Sequence, residues 1–320
     1  MLDYCAVLCR RALKTADVYS QTVKLTMRAA AGRAVLMWTC CVCVCVVAPL
    51  VHTMSDGEPV WGVTSLGEEI YLLRGKDSDR EQVEVYDVIS YRLLRCLTVP
   101  NARGLYDMTS CANLLRLYIS DPHVKCIHRL DLHGNAEQWP VSDPPAGLSV
   151  NANHNLIVTC REVGKIKEFS PRGELLRDVI LPDDVTNPWH AIQLTSGQFI
   201  VCHGGNFSDD PVQRVCKISS DGRHVVQSHG GHWGSDTGQY NWPRHLAVDD
   251  NEFVFVADYH NRRVTSLSPT LGCARQAVSR DQLAGQPVAL HVDSKLRLLY
   301  VAVNRCQDSE WKGHLCVFSI

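Results

Sequence analysis

The sequence predicts an all-β protein, a six-bladed β-propeller over residues 56–320, behind an N-terminal segment of different character, residues 1–55. Three observations lead there. A proline followed by a short alternating apolar strand recurs six times, and the spacings from one proline to the next are 41, 45, 43, 55 and 44 residues. Each copy continues into two or three more short strands separated by polar turns, the period of a propeller blade. No amphipathic helical pattern intervenes, which argues against parallel βαβ units.

The innermost strands begin at PVWGVTS (Pro59), PNARGLYDM (Pro100), PAGLSVN (Pro145), PWHAIQL (Pro188), PRHLAVD (Pro243) and PVALHVD (Pro287). Proline suits a strand start, where no ladder donor is needed. Gly62, Gly104, Gly147 and Ala191 follow closely, and small residues let strands converge at an axis. The second strands read EIYLL, LLRLYIS, NLIVTC, QFIVCH, FVFVAD and LLYVAV. Third strands follow, from VEVYD at 83–87 to HLCVFSI at 314–320, and a fourth often precedes the next proline, as in ELLRDVILP at 174–182. The last copy has only three. An unpaired edge invites aggregation, so a stretch within Val46–Met54 is expected to pair with His314–Ile320 and close the ring.

The chain is 45% hydrophobic and 21% charged, with a formal net charge of −2. Residues 1–55 hold six Lys/Arg and two acids, so the remainder carries 26 − 32 = −6. That balance disfavours binding to phosphate backbones. Residues 34–51 (AVLMWTCCVCVCVVAPLV) are uncharged and just long enough to span a bilayer as a helix. Basic residues precede the run and acids follow it, which would place the propeller outside in a single-pass protein. Its Cys/Val alternation is also what a TG dinucleotide repeat encodes, the reading of a gene-model artefact. The compartment is then cytoplasmic or single-pass membrane. Nine cysteines fall in the propeller, several inside strands, where a free thiol acts as a small hydrophobe. One glycosylation sequon, Asn206-Phe207-Ser208, matters only in a secreted protein.

Residues 240–269, YNWPRHLAVDDNEFVFVADYHNRRVTSLSP, resemble an NHL repeat through Pro243, Asp249, the V-x-V-A-D strand from Val254 to Asp258, and Asn261-Arg262-Arg263-Val264. The resemblance covers about 260 residues in architecture and about 30 in detailed motif. It implies a six-bladed propeller similar to those at the C-termini of TRIM-type ubiquitin ligases. The zinc-ligand spacings and heptads of their upstream modules do not occur in this sequence. Some NHL propellers read RNA, but through basic faces.

A propeller usually binds at its channel mouth. Counting two residues on from each leading proline, and allowing for an insertion in the second copy, gives a rim of Trp61, Arg103, His190 and His245, with Trp189 and Arg244 adjacent. Aromatic and arginine side chains are the usual binding anchors. Asp258, Asn261 and Arg262 read as a turn-fixing network. His229 and His232 are two ligands short of a closed metal site. The expectation is therefore a non-catalytic binding module with a protein partner, without cofactor, metal or catalytic residue.

The alternative is a metal-dependent propeller enzyme, resembling amidating lyases or lactonases, which hold a metal at the axis. It would need about three inward ligands from different blades. His190 and His245 sit on suitable copies, but no third copy has histidine there, and His291 lies two residues further along. Asp107, Asp249 and Asp293 follow apolar strands and read as turn residues.

Overall fold

A computed structural model describes residues 47–54, 56–75, 81–204 and 212–320. The sequon at 206–208 and most of the Cys/Val run lie outside them. The chain enters with β1 (Leu50–Thr53) and then lays down six antiparallel sheets. Blade 1 is β2 (Val60–Leu66), β3 (Glu69–Arg74), β4 (Gln82–Asp87) and β5 (Leu93–Thr98). Blade 2 is β6 (Asp107–Cys111), β7 (Arg116–Asp121), β8 (Cys126–Asp131) and β9 (Ala136–Pro140). Blade 3 is β10 (Leu148–Val150), β11 (Leu156–Cys160), β12 (Lys165–Phe169) and β13 (Leu175–Ile180). Blade 4 is β14 (Pro188–Gln193), β15 (Phe199–Gly204), β16 (Val212–Ile218) and β17 (Val225–His232). Blade 5 is β18 (Pro243–Val248), β19 (Val254–Asp258), β20 (Arg263–Leu267) and β21 (Ala274–Val278).

The sixth blade combines the two ends of the described chain. β22 (Gln286–Asp293), β23 (Leu298–Gln307) and β24 (Glu310–Ser319) pair in order, and β1 adds the outer strand through Leu50 opposite Phe318 and Thr53 opposite Cys316. Backbone bonds from Met54 N–H to Leu315 O (2.9 Å) and from Ser319 N–H to Pro49 O (3.0 Å) extend the seam. The ring thus closes with the stretch its unpaired edge called for.

This closure corrects the reading of residues 34–51 as one membrane helix. Leu50 and Val51 are strand, and Ala48 is buried and bonded to Ala277 O. The uncharged run left for a helix shrinks to residues 34–46, below the roughly 20 residues that span a bilayer. Among the described residues no helix is long and apolar enough to cross a membrane.

The core lies between blades. Tyr71, Leu73 and Val83 of blade 1 pack on Met108, Leu117 and Ile119 of blade 2. Tyr300 and Val317 of blade 6 pack on Ile70 and Leu72 of blade 1. These side chains are fully or almost fully buried, each worth about 1.5–3 kcal/mol. Six described cysteines are buried free thiols, five of them in such clusters.

The pairing registers align the innermost strands residue for residue. His190 opposes Cys202, His245 opposes Ala257, Gly62 opposes Leu73, Ala289 opposes Ala302 and Asp107 opposes Ser120. Gly147 holds the same place in blade 3, its carbonyl accepting the Thr159 N–H. The axis is therefore ringed by Gly62, Asp107, Gly147, His190, His245 and Ala289. Three blades contribute functional groups and three contribute small residues that make room.

Candidate functional site at the propeller axis

Four innermost strands carry a β-bulge immediately before the axis position. The register skips Trp61, Trp189, Arg244 and Val288. A bulge re-aims the extra side chain. In blades 1, 4 and 5 it helps gather Trp61, Trp189 and Arg244 at the end of the channel where the innermost strands begin. The Arg244 guanidinium carbon lies 5.3–6.0 Å from the ring centroids of Tyr106, Trp61, Tyr259, Trp189 and Trp242. Arg161, just after β11, stacks on Trp189 at 3.6 Å.

Behind this aromatic mouth sit the neighbours in sequence of three of its members. Asp107 follows Tyr106, His190 follows Trp189 and His245 follows Arg244. Asp107 and His190 are 1% and 2% exposed. The Asp107 carboxylate accepts the backbone N–H of Met108 and of Leu148, both at 2.8 Å. Its oxygens lie 3.3 Å from His245 Nε2 and 3.7 Å from His190 Nε2. The two imidazoles stack, centroids 3.9 Å apart. His190 Nε2 also meets Leu148 O at 2.9 Å, so its proton sits there and Nδ1, buried and unpartnered, keeps its lone pair. Leu290 N–H points at His245 Nδ1 (3.3 Å), which leaves the His245 proton on Nε2, facing Asp107.

Electrostatics follow from burial and charge. Burial pushes His190 down to about 3, His245's charge adds to that, and Asp107 opposes it. Burial pulls Asp107 upward, but the two histidines and the Leu148 amide outweigh it and hold the carboxyl below its ordinary value. His190 and His245 also border a channel cavity of about 210 Å³, lined further along by Thr64, Ser110, Ser149 and His291. At its far end Ser65 Oγ lies 2.9 Å from His291 Nε2 and 3.1 Å from Asp293. The serine stands between acid and imidazole there, which is not the order of a nucleophilic triad.

Of the rim residues read from the sequence, Trp61, Trp189 and Arg244 meet in the mouth, and His190 and His245 meet behind it. The exposed Arg103 makes none of these ring contacts. Its backbone N–H bonds Asp121 and its carbonyl meets His123. Asp107 is not the turn residue expected, whereas Asp249 and Asp293 are, each accepting turn N–H groups. Asp258 and Asn261 do form the expected network, but with Arg263 instead of Arg262. Arg263 reaches the carbonyls of Ser235, Asp236 and Gln239, and Asp258 accepts the Asn241 N–H. This pins the Gly-rich loop and holds Trp242, at φ +67°, against the mouth. A bulky residue in that left-handed region is strained, and such strain concentrates at functional sites.

No known family profile matches the chain, and no curated protein matches it in sequence. Solved structures do match in fold. A PQQ-bound aldose sugar dehydrogenase from Streptomyces coelicolor superposes with TM-score 0.63 at 12% identity, covering 85% of this chain and 97% of that one. Virginiamycin B lyase from Staphylococcus aureus superposes with TM-score 0.55 at 11% identity, covering 83% and 88%. A histidine-to-alanine variant of the S. aureus lyase, solved with quinupristin and described as catalytically inactive, gives TM-score 0.54 at 10% identity, covering 80% and 94%. At these identities the likeness establishes a propeller fold and not the chemistry. These likenesses are to enzyme propellers, not to TRIM-type propellers. The expectation of a non-catalytic chain is withdrawn, since the named propellers that share its fold are enzymes.

Proposed function

We propose that the chain is a metal-dependent propeller enzyme whose reaction centre is Asp107, His190 and His245. The observation that carries the reading is the convergence of one carboxylate and two imidazoles, from three different blades, on one buried point of the axis. Two histidines and one carboxylate with open positions form a recurrent catalytic set for divalent metals. The separation of 3.3 Å between the Asp107 oxygen and His245 Nε2 is close to the roughly 3.4 Å expected between ligands on bonds of about 2.1 Å at tetrahedral angles. His190 suits this role best, since its free Nδ1 can ligate while Nε2–H is fixed by Leu148 O, the usual outer support of a ligating imidazole.

His245 must change tautomer to ligate through Nε2, and Leu290 N–H then loses its acceptor. That contact favours a second reading, in which Asp107 and His245 act without metal as an acid–base pair. A metal would polarise a carbonyl or activate water here. Burial raises the thiol of the neighbouring Cys202, which leaves it a poor nucleophile. The reading is therefore elimination or hydrolysis without a covalent intermediate. That a lyase on a similar propeller is inactivated by loss of one histidine supports it. Within the fold we read residues 240–269 as an NHL-like repeat retained for its Asp258–Arg263 network.

Titration calorimetry of the full chain with Zn²⁺ and Mn²⁺ tests the proposal. The expected result is one saturable site, lost in Asp107→Asn and His190→Gln. Absence of a site in wild type would sink the metal and leave the acid–base reading.

A further inference from the structure

We propose that the aromatic mouth is a recognition site for the carboxylate of a small organic substrate, with Arg244 as its anchor. The inference rests on the reaction centre just described and names the class of molecule delivered to it.

Arg244 and Arg161 are drawn together over the same ring, Trp189, at 5.9 and 3.6 Å. Among the described residues no ion pair includes Arg244. Asp107, the acid of the adjacent reaction centre, spends its oxygens on two backbone amides and His245. Burial lowers Arg161; the Tyr106 hydroxyl offsets part of that, and Arg244 pushes it further down. Glu162, the exposed chain neighbour of Arg161, acts on it more weakly still. Burial raises the Tyr106 phenol, against the pull of the two arginines. Two guanidinium groups thus share a half-buried, ring-walled space.

The walls decide which anion. Five ring faces hold Arg244 by cation–π attraction but supply no acceptor for its N–H fork. A planar carboxylate matches that fork. Its organic body can lie against Trp61, Trp189 or Trp242. A phosphate dianion would have to shed far more hydration to enter among the rings. Position completes the case. Arg244 is joined to His245 by one peptide bond, as Tyr106 is to Asp107 and Trp189 to His190. A carboxylate at the mouth places the atoms attached to it next to the Asp107–His190–His245 centre.

The test uses metal-free full-length protein and its own tryptophan fluorescence, since three tryptophans line the mouth. The probes are benzoate, its uncharged analogue benzamide, and inorganic phosphate. Benzoate should saturate, with benzamide and phosphate weaker by about tenfold or more, the scale of one charge-assisted hydrogen-bonded pair. Arg244→Lys and Arg244→Met should weaken benzoate by a similar factor, while Arg103→Gln leaves it unchanged. If an Arg244 variant fails to fold, Arg161→Gln should show the same loss. Phosphate binding tighter than benzoate overturns the carboxylate class. Benzoate binding that ignores both arginines overturns the site. Because metal is absent, benzoate binding in a protein that never takes a metal would uphold this inference while the metal reading falls. Metal binding without benzoate binding would do the reverse.

Discussion

The imidazole of His190 lies on that of His245, 3.9 Å between centroids and 30° between planes, with Asp107 reaching both. Two cationic rings could not share that contact. Burial and its neighbour therefore keep His190 neutral, and a neutral imidazole is the form that can accept a metal or a proton.

Asp107 also serves the fold, because it accepts from Met108 N–H, Leu148 N–H and His245 Nε2–H. Asp107→Leu orphans all three buried donors and should cost about 3 kcal/mol or more. Asp107→Asn keeps an acceptor and should cost clearly less. Urea denaturation of the two variants measures the gap, and equal losses would contradict this role.

Gly147 is small because His190 needs its space. A Cβ on Gly147 would sit 2.6 Å from Trp189 O and 2.8 Å from His190 Cδ2. Gly147→Ala should destabilise by about 1–3 kcal/mol through overpacking. It should also weaken metal binding, since the backbone that must yield carries His190. A variant with wild-type stability and affinity would show that the axis has slack.

Ring closure depends on β1. A chain beginning at residue 56 would leave the long edge of β24 unpaired. It should melt at lower temperature and aggregate at concentrations where the full chain stays dispersed. Light scattering during a thermal ramp reads both effects. Matching curves would mean that the strand adds nothing.

Stability should fall with acid through buried histidines. Burial depresses His291 to about 4, with the neighbouring charges of Asp293 and His245 acting in opposite senses, and burial also depresses His314. In the unfolded chain both take up protons near pH 6.5. For His291 the unfolded state therefore binds more protons than the folded one between about 6.5 and 4, and His314 acts in the same direction. Stability is complete above that window and lost on going down through it, by up to about 1.4 kcal/mol per pH unit per histidine. Urea midpoints at pH 8, 6.5 and 5 should drop in that order, with a shallower slope in His291→Gln. An unchanged slope in that variant would remove His291 from the account.

The blades were legible because a proline-led strand repeats and its spacing is local information. The axis was only half legible. His190 and His245 follow their prolines directly, so counting from the proline finds them. Blade 2 places a turn between Pro100 and its strand, with Asn101 at φ +61°, and β6 begins only at Asp107. Counting from Pro100 therefore ends in that turn and gives Arg103 instead. Aligning the second strands instead, LYISD on FIVCH, would have set Asp107 opposite Ser120, as His190 stands opposite Cys202. Trp61 was found through a bulge, which moved it off the axis and into the mouth. Arg161, Trp242 and Tyr259 lie just outside the strands, where no period marks them; only the folded ring brings them to Arg244 and Trp189.

The most direct test of the reaction centre is an anomalous difference map from crystals of the full chain grown with Mn²⁺ or Zn²⁺. The account predicts one peak on the propeller axis, within about 2.0–2.3 Å of an Asp107 oxygen, His190 Nδ1 and His245 Nε2. An axis without a peak, or a metal held elsewhere while Asp107 remains bonded to His245, would contradict it.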